Sequence, residues 1–352
     1  MSTSAPAEKP LSESPRATDP PKRLQMADIA RLAGVSASTV SRALSGHPAI
    51  PESTRARITE LARSLNYQVN VGAANLRRRG IQTVAVAMQT DTLQGISDPF
   101  ILSLLGSIAD ALDRRGLSLL LTRSRTEQPE SLAQMVDNGQ ASGLIVIGQY
   151  AQQDRLNLLT LRRIPLVVWG AHLPTMLYPV VGGDNELGGH LAARHLLDRG
   201  CRRVGFVGEF NHPEAMLRHQ GYVRALAEAG LPADPRLHID TPFEPEHTRL
   251  RMRQWLQTRP EFDGLCCVSD VMAINVIAVL QEHGIRVPND VRVTGYDDVP
   301  LAAHVHPSIT TIRQPTADAG ESLVSSLMDV LEGRLPERVI LPTELIGRES
   351  SA

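Results

Sequence analysis

The sequence predicts a small all-α unit followed by a larger α/β body built on parallel sheets. Three observations lead there. Residues 26–46, MADIARLAGVSASTVSRALSG, read as two short helices around a Gly turn. A third amphipathic stretch follows at 52–65. Beyond residue 80, near-continuous apolar runs alternate with helical patterns, as expected of strands covered by helices on both faces.

The elements can be justified in chain order. Residues 1–21 are rich in Ser, Thr, Pro and Ala and read as a disordered tail, without the apolar core of a signal peptide. Residues 22–68 form the helical unit. Ala30 is small where two helices cross, Gly34 can take the positive φ of a tight turn, and Val40 pins the second helix to the core. Ser36 is placed to cap that helix with its side-chain oxygen. In the third helix Ile58, Leu61, Ala62 and Leu65 recur at helical spacing, so one face packs on the first two. A unit this short buries a thin core. Residues 69–80 form a basic joint containing Arg77, Arg78 and Arg79.

The body, 81–352, places strands at TVAVAM (83–88), LSLLL (117–121), GLIVIG (143–148), PLVVWG (165–170), RVGFVG (203–208), LHID (237–240), GLCCVS (264–269) and VRVTGY (291–296). Helical patterns fall at 101–115, 128–139, 152–162, 186–199, 214–229, 246–258 and 271–284. So many strands suit two sheets better than one, and ligands in such folds sit beyond the carboxyl ends of strands.

Charge separates the parts. Residues 22–79 hold ten Lys/Arg against three acids, a net of +7, whereas 80–352 hold 24 against 32, a net of −8. A basic module on an acidic body points to a polyanion partner for the first part. The outward face of the second helix carries Ala37, Ser38, Ser41 and Arg42. Ala37 can touch a thymine methyl, Ser38 can bond either base type, and Arg42 can grip a guanine edge. Thr39 and Ser41 suit phosphate equally well. The predicted partner is therefore double-stranded DNA.

The three cysteines, Cys201, Cys266 and Cys267, have no metal-ligand spacing, and the last two sit in the apolar run LCCV as expected of buried strand thiols. This suits a reducing cytoplasm. No run approaches the roughly 18 apolar residues of a membrane span. No P-loop, dinucleotide Gly fingerprint or Ser/His/Asp order is evident, so neither an enzyme nor a cofactor is expected.

These motifs together resemble the lac repressor/galactose repressor family. The headpiece MADIARLAGVSASTVSRALSG, TRARITELARSLNY (54–67) and NVGAANLRRRG (70–80) carry the likeness first. DNELGGHLAARHLLDRGCRRVGFVG (184–208), LRHQGYVRALAEAGL (217–231), the stretch from Val268 to Ala302, and SITTIRQP (308–315) extend it over about residues 24–345. The resemblance implies a homodimer on a near-palindromic operator. It implies base reading by Ala37, Ser38 and Arg42, with Leu76 as a wedge in the minor groove and Arg77 and Arg78 on flanking phosphates. Gln25, Pro51 and Val69 depart from the family's usual Thr, Ser and Pro, which predicts weaker helix starts and, with Gly72, a looser hinge.

For the body the resemblance implies a periplasmic-binding-protein-like effector domain, two lobes closing on a small molecule. The N-lobe is expected at 81–183 and 310–334, the C-lobe at 184–309 and 335–352. Asp184, Arg218, Asp270, Asp297 and Gln314 fall where the family binds its effector. Carboxylates and a guanidinium suit hydroxyl-rich ligands, so a sugar is expected. Trp169 and, less strongly, Phe243 can stack on a ring, although Trp169 also reads as core, and Asp184 and Asp270 also read as helix caps. Either Asp297 or Asp298 can be the ligand group. Ser269 replaces the family's frequent Asn. A purine- or corepressor-responsive regulator is the alternative, with a transporter's solute-binding protein and a glycosidase-like enzyme further behind.

Overall fold

The computed structural model describes residues 26–44, 50–64, 82–89, 97–124, 130–149, 153–210 and 212–352. The chain falls into two units, divided between Arg78 and Arg79.

The first unit has three helices: α1 (Met26–Ala33), α2 (Ala37–Leu44) and α3 (Glu52–Ser64). Gly34 takes φ +66° between the first two, and the Val35 amide closes the turn on the Ala30 carbonyl (3.0 Å). Ile29, Ala30, Ala33, Val40, Ala43 and Ile58 form the core, with Leu61 against its edge. Ala62 is buried as the spacing predicts, whereas Leu65 lies outside the described residues. Pro51 has no side-chain oxygen to offer, and its carbonyl accepts from the Arg55 amide (2.9 Å) as α3 begins.

The second unit holds two parallel sheets. Into the first go β1 (Thr83–Gln89), β2 (Ser118–Ser124), β3 (Gly143–Ile147), β4 (Leu166–Trp169), β5 (Val180–Gly183) and β11 (Val339–Leu341), in the order β11-β5-β4-β3-β1-β2. Its two faces follow the period of two. Val84, Val86 and Met88 face the cluster containing Leu104 and Ile108 of α4 (Pro99–Asp113) and Leu323 and Leu327 of α11 (Thr316–Leu331). Ala85 and Ala87 face the opposite cluster, with Leu132 of α5 (Glu130–Asp137) and Leu156 and Leu159 of α6 (Gln153–Leu161). Runs apolar at every position are what two covered faces require.

The second sheet runs β7-β6-β8-β9, from β6 (Val204–Val207), β7 (His238–Ile239), β8 (Gly264–Cys267) and β9 (Arg292–Thr294). Its helices are α7 (Asn185–Asp198), α8 (Pro213–Glu228), α9 (Pro245–Gln257) and α10 (Asp270–Glu282). Cys266 and Cys267 are buried in β8, as expected. Phe206 packs on Tyr222 with ring centroids 5.4 Å apart.

Three strands of chain pass between the lobes side by side. The first leads from β5 into α7, and the Asp184 amide donates to the Leu341 carbonyl of the third (3.2 Å). The second is β10 (Thr311–Arg313), which pairs antiparallel with β12 (Glu344–Ile346) on the third. One boundary needs correcting. The N-lobe does not give up the chain at 334, because Val339–Leu341 pairs with Val181–Gly183 and extends the N-lobe sheet. A three-residue strand is too short to show a period.

Candidate functional sites

In the first unit, the site is built by a cap. The Thr39 amide donates to Ser36 Oγ (3.2 Å), and Ser36 Oγ also lies 2.8 Å from Ser38 Oγ and 2.9 Å from Thr39 Oγ1. Ser36 thus starts α2 rather than reaching outward. Ser38 and Arg42 are exposed on that helix, while Val40 and Ala43 turn inward. The side chains of Ala37 and Ser41 lie outside the described residues, as do Gln25, Val69, Gly72, Leu76, Arg77, Arg78 and Arg79.

In the second unit, strand ends gather polar groups next to the crossovers. Arg218, on α8, is buried. Its Nε donates to Asn185 Oδ1 (2.9 Å), an Nη1 hydrogen bond goes to the Val268 carbonyl, and the guanidinium lies 3.6 Å from the centre of the Tyr296 ring. Asp297 Oδ1 stands 4.0 Å from Arg218 Nη1 and accepts from Gln314 Nε2 at 2.7 Å. Gln314 sits on the second crossover, so this bond ties the crossover to the C-lobe site. Burial pushes the Asp297 carboxyl well above the usual carboxylate range, against the pull of Arg218. Asp297 and Asp298 both have positive φ, 110° and 57°. That backbone sends their side chains apart: Asp297 goes to the cluster, whereas Asp298 pairs with Arg313 Nε (2.7 Å) and Arg348 Nη2 (2.5 Å).

The remaining predicted residues divide. Asp184 caps α7, accepting from the Leu187 amide (3.0 Å), and lies near enough to Tyr296 to act on its hydroxyl. Asp270 does not cap α10. Ser269 does, with its Oγ accepting from the Met272 amide (3.2 Å). Asp270 is buried beneath the cluster, its Oδ2 accepting from the Val299 amide (2.9 Å), and burial pushes its carboxyl up to about 7. Trp169 is 5% exposed and packs against Phe100, with ring centroids 5.9 Å apart. Phe243 follows β7 and meets the His212 ring in a T-shaped contact (4.9 Å between centroids).

Asp98 escaped the sequence reading. It caps α4 from the N-lobe, accepting from the Phe100 (2.9 Å) and Ile101 (3.2 Å) amides. Burial raises its carboxyl, and it in turn raises Asp297 of the other lobe. The signal was available: Asp-Pro-Phe before an apolar helix is a cap followed by Pro at the first helical position. Among the described residues no three His, Cys, Asp or Glu side chains gather as a metal site, and no helix is long and apolar enough to cross a membrane.

Comparison with known proteins follows the same division. Residues 25–70 match the family described as bacterial regulatory proteins, lacI family, and residues 193–351 match the periplasmic binding protein-like domain. The HTH-type transcriptional repressor PurR of Haemophilus influenzae (strain PittEE) is 30% identical over 334 residues, 92% of this chain and 97% of that protein. A transcriptional regulator CelR–cellobiose complex is similar at 29% identity and a TM-score of 0.72, over 93% of this chain and 100% of that one. The lac repressor dimer bound to operator and the anti-inducer ONPF shares the fold at 23% identity and a TM-score of 0.77, over 94% of this chain and 99% of that one.

Proposed function

The chain belongs to the lacI family of bacterial regulatory proteins, and on that footing we propose that it is a sequence-specific DNA-binding repressor released from its operator by a small sugar or glycoside. It acts as a homodimer in the cytoplasm and as a regulator rather than a catalyst. The observation that carries the reading is the Gln314–Asp297 hydrogen bond beside Arg218. A hydroxyl-rich molecule there touches a crossover and the C-lobe at once, so its binding energy depends on how the lobes stand. Differential contact of that kind is what a ligand needs to shift a conformational equilibrium. The CelR–cellobiose complex and the operator-bound lac repressor dimer support the sugar and the dimeric DNA complex respectively.

On the DNA side, Ser38 and Arg42 read bases and Ser36 fixes the start of the reading helix. Ala37, Thr39 and Ser41 complete that surface, with Leu76, Arg77 and Arg78 on the centre of the site. On the effector side, Asp184, Arg218, Asp297 and Gln314 hold the ligand. Trp169 backs the wall, Phe243 flanks it, and Asp270 supports the loop that presents Asp297.

The test is to capture sheared genomic DNA on the purified protein, sequence what is retained, and elute it with a panel of sugars. A shared palindrome released by a sugar is the expected result. Retention that a sugar strengthens, or that only a nucleobase affects, would replace this reading with the corepressor one.

A further inference from the structure

Asp298 follows the proposed effector carboxyl directly, yet its side chain leaves the cluster for the crossovers. Resting on the sugar reading above, we infer that Asp298 is a positioning residue of the effector response: it locks the turn that presents Asp297 onto the second and third crossovers, so that a ligand on Asp297 moves the crossovers rather than the turn. Its two oxygens go to two different crossovers. Oδ2 accepts from Arg313 Nε of β10 (2.7 Å), and Oδ1 accepts from Arg348 Nη2 (2.5 Å), just beyond β12 on the third. Arg348 is held from its other side, where Nη1 donates to the Ile309 carbonyl ahead of β10 (2.8 Å). The Asp298 side chain is 9% exposed and that of Arg348 17%, so this pair is shielded from the water that weakens surface ion pairs.

The turn needs such a lock. Asp297 and Asp298 stand at φ 110° and 57°. Two successive left-handed residues that are not glycine persist only where their surroundings over-determine them. The backbone here is zipped to the second crossover, with the Gly295 amide donating to the Thr310 carbonyl (2.8 Å) and the Asp297 amide to the Ile312 carbonyl (2.7 Å). Gln314 adds its bond to the Asp297 carboxyl. Those contacts all end on the second crossover. Asp298 brings in the third, through charge-assisted hydrogen bonds that are stronger than neutral ones. A ligand shifts an equilibrium only through contacts that differ between the two states. A turn free to relax would absorb the pull of the ligand locally, whereas a pinned turn passes it to both crossovers.

The experiment uses the full-length protein, the genomic DNA it retains, and glucose, galactose, ribose, maltose and cellobiose as probes. DNA affinity is measured with and without each sugar at saturation, and the ratio of the two is the coupling. Asp298→Asn keeps the size of the side chain and removes its charge, and Arg348→Gln breaks the same pair from its other end. Each should lower the coupling at least about fivefold, and the two together should do no more than the stronger alone. Asp290→Asn, the same charge change ahead of β9 in a pair with Arg286, should leave the coupling at the parental value. Hydrogen exchange reads the lock without any ligand: the Gly295 and Asp297 amides should exchange at least about fivefold faster in Asp298→Asn. Parental coupling in both pair-breaking variants, or unchanged exchange at those amides, overturns the positioning role and leaves the sugar reading standing. A parent whose DNA affinity no sugar alters overturns the sugar reading itself and the inference with it.

Discussion

Asp270 shows how much one buried carboxyl can matter. Burial lifts the group to about 7, against the pull of the Thr311 hydroxyl and the Val299 amide. An unfolded Asp titrates near 3.9, so the folded chain holds a proton that the unfolded chain releases. The resulting stability is complete below about pH 4 and is lost as pH rises through about 7, a change of roughly 4 kcal/mol in order of magnitude. Asp270→Asn keeps an acceptor for the Val299 amide and removes the titration. Urea denaturation should therefore find the variant gaining on the parent between pH 5 and pH 7; parallel curves would show that the carboxyl is already ionised in the folded chain. Arg42 makes the second residue-scale prediction. Arg42→Ala should cost roughly 1–3 kcal/mol on specific DNA and relax one operator position. Equal weakening on all sequences, measured by competition binding, would make Arg42 a phosphate contact. Residue types were legible here, but roles were less so. Asp184 and Asp270 each stand at the head of a helix in the sequence, and only the backbone shows that Ser269, one residue earlier, does the capping for α10. Asp98 was missed because its partner Asp297 lies almost 200 positions away, in the other lobe.

Among the elements, the crossing of α7 and α8 leaves no room for a side chain at two positions. A Cβ on Gly189 would sit 1.9 Å from the Arg218 carbonyl oxygen, and one on Gly221 would sit 1.9 Å from that of Glu186. Neither neighbour is a side chain that can swing away. Gly221→Ala should push the helices apart and cost about 3 kcal/mol or more, read by urea denaturation, because overpacked backbone has no cheap escape. It should also weaken the sugar binding proposed for Asp184 and Arg218, which ride on those two helices. A variant with parental stability would mean that the helices slide at this contact. Long elements were well marked in the sequence. The expected 214–229 appears as Pro213–Glu228 and 271–284 as Asp270–Glu282. The missed strands β5, β10, β11 and β12 span three or four residues, too few for a period to emerge. Helix α11 was missed because it starts without a side-chain cap, on the small and polar residues TADAGES.

For the whole molecule, the contrast between the two units sets the expected behaviour. Ile29, Val40, Ile58 and a few alanines hold the first, whereas the second rests on continuous clusters beneath two sheets. Calorimetry should show two transitions, with the headpiece melting first and moving upward when operator DNA is added, by mass action. A single transition unmoved by DNA would mean that the units unfold together. Light scattering should find a dimer, and a tetramer would overturn that assembly. The two-part organisation was legible from the charge asymmetry and the change of period, while the return of the chain to its first sheet was not. That return bears on how the protein is made. Strand β11 joins the N-lobe sheet only after all four strands of the C-lobe sheet have been threaded. On the ribosome the headpiece can fold while the chain is still short, but the effector domain must wait with an unfinished sheet edge for its last strand. A reader of DNA therefore emerges well before the part that tells it when to let go.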